Sequence, residues 1–234
     1  MTTSPEEVAS GVYRIDAIGF SYAINVLAVG SDDGWTLVDT GIGGSPKRIQ
    51  AALTALGVGP AALARIYLSH HHQDHVGGLP GMREWAPGAE IVAPGHEAEI
   101  IAGKLSIDPS VNRVMRLGQR WARLPVVPVD HTVREGETVA GFRVISTPGH
   151  TLGHTSLLSE RHGLLFTADA FGAMPRKLRV GVRKAFCADP AMAKRSAERL
   201  LSEVYATAVF SHGPVLRDSP RDRLRQVAAE CRYA

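Results

Sequence analysis

The chain has 234 residues, 44% of them hydrophobic, and a formal net charge of +3. That length and apolar content suit one globular domain with a substantial core, and so mild a basic excess argues against nucleic acid as a partner. No apolar run nears the roughly 20 residues a membrane span needs, and two cysteines, Cys187 and Cys231, are too few for a disulfide framework and read as ordinary thiols.

The opening stretch MTTSPEEVASGVYRID is polar and acidic. It lacks the basic-then-apolar order of a signal peptide, so a cytoplasmic home is expected. Strands are predicted over 11–18, 22–29 and 34–38, with GSDDG at 30–34 as the hairpin turn between the last two. A helix follows in SPKRIQAALTALG, with Ser45 as N-cap, Pro46 at the first helical position and Gly57 at the close. The strand 64–69 then runs into SHHHQDHVGG, and another strand is predicted over 89–94. The segment 95–124 reads as a helical insert over the core, with a helix opened by Asp108–Pro109. Five further strands are predicted over 125–129, 142–147, 155–160, 163–168 and 207–211. Two further helices are opened by Asp189–Pro190 and Ser219–Pro220. Strands outnumber helices in a mixed order. Nothing in 1–234 resembles a linker, so a single domain is expected.

Four of the ten histidines fall within His70 to His75, directly after an apolar strand. Imidazole is the commonest metal ligand in proteins, and loops leaving a strand end commonly carry chemistry. His70 and His72 alternate and can point the same way, while His71 points off, behind the ligands or to the surface. Asp74 and His75 follow one turn later. Other strand ends repeat the device: His150 follows the strand at 142–147 after a Pro148–Gly149 turn, Asp169 ends an apolar strand, and His212 ends another, before Gly–Pro. A carboxylate buried at such an end is costly without a metal or a partner. A lone His or Asp after a strand is usually a cap or a surface group, but four such placements together point to a metal site. His96, His131 and His162 lack this placement and read as structural. His154 lies near the site, but Thr151–Leu152–Gly153 point it elsewhere.

HHHQDH fits the His-x-His-x-Asp-His signature, and the chain resembles the metallo-β-lactamase superfamily of hydrolases at four further stations in order: LVDTG at 37–41, TPGHT at 147–151, FTAD at 166–169 and SHG at 211–213. The resemblance spans residues 22 to 213. It implies an α/β fold, the four-layer αββα sandwich, with a dinuclear centre at one edge. Zinc is the metal it implies first, with iron or manganese as variants. By position, His70, His72 and His150 would hold the first metal, Asp74, His75 and His212 the second, and Asp169 would bridge them. Asp39 would support the ligand loop, since ligating imidazoles usually donate their other N–H to a carboxylate or carbonyl. Two departures are visible: Ala168 stands before Asp169 and Ser211 before His212, where the family usually has Gly.

The resemblance implies a small-molecule substrate whose ester, thioester or lactone bond is cleaved by a hydroxide held between the metals, with Asp74 as proton carrier. HHHQDHVGG looks most like the glyoxalase-type thioesterases. With about 20 residues after His212, their glutathione-binding helical domain is not expected here. Phosphodiesterases and β-lactamases of the superfamily are rivals, the latter disfavoured by Asp169. A mononuclear iron persulfide dioxygenase is another, disfavoured because His75 and His212 are both present. The stretch 174–186, with Arg176, Lys177, Arg179, Arg183 and Lys184, is either a solvated basic face or a rim that draws in an anionic substrate.

Overall fold

Side chains alternate along the strands, and that alternation sets the layers. In β3 (Asn25–Ser31), Val26 and Ala28 face one core while Leu27 and Val29 face another. The computed structural model describes residues 4–119, 124–173 and 177–233. Seven strands form the first sheet in chain order: β1 (Glu6–Ala9), β2 (Val12–Asp16), β3, β4 (Gly34–Val38), β5 (Leu63–Tyr67), β6 (Glu90–Pro94) and β7 (His131–Val133). Its first four strands pair antiparallel and β4 through β7 pair parallel. The second sheet contains β8 (Thr138–Val139), β9 (Phe142–Ser146), β10 (Thr155–Ser159) and β11 (Leu164–Phe166). A ribbon of β12 (Phe171–Ala173) and β13 (Leu178–Val180) follows. Then β14 (Thr207–Val209) returns parallel to β11.

The two sheets face each other across one core. Leu27, Val38, Tyr67 and Val92 from the first meet Phe142, Val144, Leu157 and Phe166 from the second. Outside the first sheet pack α1 (Pro46–Ala55), the short α2 (Gln73–Val76), α3 (Leu79–Trp85) and α4 (Gly95–Ile101). The helix α5 (Arg113–Gln119) has no buried residue. Outside the second sheet, α6 (Pro190–Leu200) and α7 (Pro220–Glu230) bury Ala197, Leu200, Leu224 and Ala228 against Ile145, Leu158 and Leu165. The result is the expected αββα order of layers in a single domain. No helix among the described residues is long and apolar enough to cross a membrane.

Local expectations fared unevenly. Asp189 caps α6, its Oδ1 accepting from the Met192 N–H at 2.9 Å. Ser45 holds the N-cap position of α1, as expected, but makes no capping bond; its Oγ accepts from the Ile42 N–H instead. Ser219 makes no cap bond either and sits at φ 45°. No helix starts at Pro109: Asp108 is taken by the Leu152 N–H and His96, and Asn112 Oδ1 accepts from Val114 and Met115 at the start of α5. The segment 125–129 is not a strand; its Val127 N–H bonds the Ile101 carbonyl. Within 95–124, α4 belongs to the core layer through Ala98 and Ile101, and residues 120–123 lie outside the described ones.

Candidate metal centre

One edge of the sandwich collects the ends of five strands. Asp39 follows β4, His70 to His75 follow β5, His150 lies in the β9–β10 turn, Asp169 follows β11 and His212 follows β14. Parallel pairing of β4 with β5, and of β11 with β14, puts these ends on the same side. Two of the approaches demand unusual backbone. Gly149 sits at φ 127°, and a Cβ there would lie 2.1 Å from the Ala193 nitrogen, so only glycine fits the turn that presents His150. Ala168 holds φ 45° just before Asp169. The family's usual glycine at that station is thus explained, and the alanine carries a strain of roughly 1–2 kcal/mol.

The structure brings all seven expected ligand residues together. His70, His72 and His150 form one group with potential ligand atoms within 4.8 Å of one another; Asp74, His75 and His212 form a second. Asp169 reaches both. Its Oδ2 is 3.1 Å from His150 Nε2 and 3.6 Å from His75 Nε2, and its Oδ1 is 3.5 Å from His212 Nε2. His212 Nε2 also lies 3.2 Å from Asp74 Oδ2. His70 Nε2, His75 Nε2 and Asp169 Oδ1 are buried without any hydrogen-bond partner. Three such atoms within a few ångströms of one another are costly unless something else there engages them. A set of five imidazoles and two carboxylates suits zinc.

The far sides of the rings are held by bonds that fix which nitrogen is free. Asp39, wholly buried, accepts from the Ser69 N–H and Oγ–H, both at 2.8 Å, and from His75 Nδ1 at 2.8 Å. Because the Ser69 hydroxyl gives its proton to Asp39, it can only accept from His70 Nδ1 at 3.0 Å. Asp39 therefore turns the Nε2 of both His70 and His75 inward. His212 Nδ1 donates to the Ala23 carbonyl with the same effect. Asp39→Asn replaces an acceptor with an N–H₂ group facing these donors. It is expected to weaken metal binding by about 10–100-fold without removing a ligand. Titration of the variant with zinc against a competing chelator checks this, and an unchanged affinity would reduce Asp39 to a turn residue.

Two contributors were not among the expected ones. Glu97 on α4 is fully buried and accepts from the His71 N–H at 2.8 Å, His71 Nδ1 at 2.6 Å, Thr151 Oγ1 at 2.7 Å and the Gly153 N–H at 2.9 Å. It ties the His70–His75 loop to the loop carrying His150. Burial opposes its ionisation, but the bonds from His71 and Thr151 hold its carboxyl below the usual range. The sequence signal was a carboxylate among the inward positions 97, 98, 100 and 101. His71 is thus a buried anchor, not a surface group. His154 does not point elsewhere: its Nε2 accepts from the Asp169 N–H at 3.1 Å. Its Nδ1 therefore donates to Thr147 Oγ1, at 2.8 Å. Burial, then His150, push it down to about 3, so it is neutral. His96, His131 and His162 belong to neither ligand group; His96 binds Asp108 and His131 stands 3.4 Å from Glu90. Cys187 is a buried neutral thiol, pushed up to about 12 by burial first and by Asp169 next.

Charge divides the cluster. Burial, then neighbouring imidazoles, push His70 and His72 well below their ordinary value, leaving both neutral and ready to donate a lone pair. His75 and His212 go the other way in the metal-free protein. Burial opposes their charge but is outweighed, by Asp39, Asp169 and Asp74 at His75 and by Asp169 and Asp74 at His212, which rises to about 10. The same contacts hold Asp74 and Asp169 far below the usual carboxylate range against burial. A raised imidazole stabilises the fold fully below its unfolded value near 6.5 and loses that effect as the pH climbs through the folded value. Metal-stripped protein is therefore expected to lose stability from pH 7.5 to 8.5, by up to about 1.4 kcal/mol for each of the two protons. Equal denaturant midpoints at the two pH values would contradict the protonated pair.

A cavity of about 390 Å³ opens in front of the cluster. The basic stretch gives it only Val182 and Phe186, and no Lys or Arg is among its described lining residues. Lys184 lies over the Tyr233 ring at 5.8 Å. The described cations of the stretch, Lys177, Arg179, Arg183 and Lys184, do not line the cavity; Arg176 falls outside the described residues.

Comparison with known proteins agrees with the geometry. The family model of the metallo-beta-lactamase superfamily matches residues 20–212. An uncharacterized protein, YobT, of Bacillus subtilis (strain 168) is 29% identical over 92% of this chain and 93% of its own length. The hydroxyacylglutathione hydrolase of Chelativorans sp. (strain BNC1) is 30% identical over 79% of this chain, which spans only 60% of that protein. Among solved structures, a metallo-beta-lactamase family protein from Thermus thermophilus, TTHA1429, superposes with a TM-score of 0.68. It is 24% identical, with 96% of this chain and 79% of that one covered.

Proposed function

The chain belongs to the metallo-beta-lactamase superfamily, and from that premise we propose that it is a dinuclear metallo-hydrolase that cleaves a carboxylic ester, thioester or lactone. The observation that carries this reading is the orphaned inward trio of His70 Nε2, His75 Nε2 and Asp169 Oδ1 inside a complete set of seven ligand-type side chains. His70, His72 and His150 would hold one zinc, Asp74, His75 and His212 the other, with Asp169 shared. Bound there, two zinc ions supply an activated water at neutral pH and offset the charge that builds on a carbonyl oxygen.

The chain's own residues do the rest. Asp39 and the Ala23 carbonyl keep the imidazole protons on the outer nitrogens. Glu97 fixes the spacing between the two ligand loops. Asp74 is the proton carrier of this reading: it sits on the cavity wall with 36% of its side chain exposed, so it meets both the centre and solvent.

The test is a panel of thioester, lactone, phosphodiester and β-lactam substrates given to zinc-loaded protein. Turnover of the first two above the others is expected. Preference for the phosphodiester or the β-lactam would overturn the bond assignment while leaving the family intact.

A further inference from the structure

The cavity has two unlike halves. One is the histidine–aspartate cluster. The other is built by Ile107, Met115, Leu124, Val182 and Phe186. Besides the cluster the lining holds three polar residues: Gln73, on the loop that carries the histidines, and Ser110 and Gln119, which lie beside the apolar group and are engaged within the protein. Ser110 Oγ donates to the Ala185 carbonyl. Gln119 Oε1 accepts from the Ser110 N–H at 2.9 Å, and its Nε2 donates to the Asp108 carbonyl at 3.2 Å. A polar ligand group placed there would give up its bonds to water for nothing, whereas an apolar one would only gain. The apolar character continues outside. Val111, Val114 and Leu117, on or beside the helix that sends Met115 into the cavity, are 43%, 77% and 59% exposed. Exposed apolar surface contiguous with a pocket marks a binding site more often than a bare surface. A volume near 390 Å³ holds a small molecule with a tail and not a macromolecule.

We propose that this half is an acyl-chain subsite: the substrate is an aliphatic acyl ester, thioester or lactone of medium chain length. Its carbonyl lies at the cluster and its uncharged chain against Met115 and Phe186. This rests on the hydrolase reading for the carbonyl, but not for the chain.

The two readings are tested separately. Hydrolysis of N-acetylcysteamine thioesters from acetyl to decanoyl tests the reaction. The subsite is tested by calorimetric binding of the matching uncleavable alkyl thioethers to metal-loaded protein. Affinity should rise about two- to fourfold per methylene from four to eight carbons, the gain expected for a CH₂ that is mostly or fully buried. Met115→Gln, and Met115→Gln with Phe186→Ser, change half-exposed side chains and should cut affinity for the eight-carbon thioether at least tenfold more than for the four-carbon one. Absence of hydrolysis across the series would sink the hydrolase reading, and the thioether affinities would still decide the subsite. Affinities equal across the series, or a chain-length gain undiminished in both variants, would overturn it.

Discussion

Asp169→Asn is expected to strip the centre of metal and to lower kcat/KM by more than about a thousandfold, the rate equivalent of the several kcal/mol of charge stabilisation that bound metal provides. Asp169 is the carboxylate that approaches both histidine groups, within 3.1 Å of His150 and 3.5 Å of His212. Its neighbours His75 and His212 hold it ionised against burial. An amide has no charge, and its N–H₂ end has no lone pair to share with a metal. The fold should survive, because the bond from the Asp169 backbone N–H to His154 and the β11 pairing do not involve the altered group. Metal content after dialysis and steady-state kinetics read the effect. Two metals per chain held at wild-type affinity would contradict the shared role.

His150→Ala should cost one metal and at least about a hundredfold in activity, since removing a ligand exceeds the loss typical of the residues behind ligands. The turn itself is pinned by backbone bonds: the Ala188 N–H donates to the His150 carbonyl and the Asp189 N–H to the Gly149 carbonyl. The side chain is therefore removed without releasing the loop, and far-ultraviolet circular dichroism should be unchanged. His72→Ala should behave alike, as His72 Nδ1 lies 2.9 Å from His150 Nε2. Full activity with unchanged metal content in either variant would refute this grouping.

The parts of the centre that show in the sequence are those set by short-range chemistry. An apolar strand that stops on His, Asp or His–Gly leaves its mark within six residues, so four placements could be read from strand ends, and they meet at one edge of the sandwich. Asp39 was named only through the resemblance at LVDTG, since its partners Ser69 and His75 lie 30 and 36 residues away. Glu97 and His154 lie in no such motif and their partners stand 26 and 15 residues away, at His71 and Asp169, so only the closed fold brings them near. Asp108 shows the reverse error. Asp–Pro before a helical pattern is a sound local cap signal, yet long-range bonds from Leu152 and His96 claim the carboxylate, and Asn112 caps instead.

The most direct measurement of the central claim is the metal content of protein purified without added metal, taken with thioester hydrolysis by the same sample. The account predicts about two metal ions per chain, chiefly zinc, with hydrolysis lost to a chelator and restored by zinc. One iron per chain, with oxygen consumed and no hydrolysis, would contradict it.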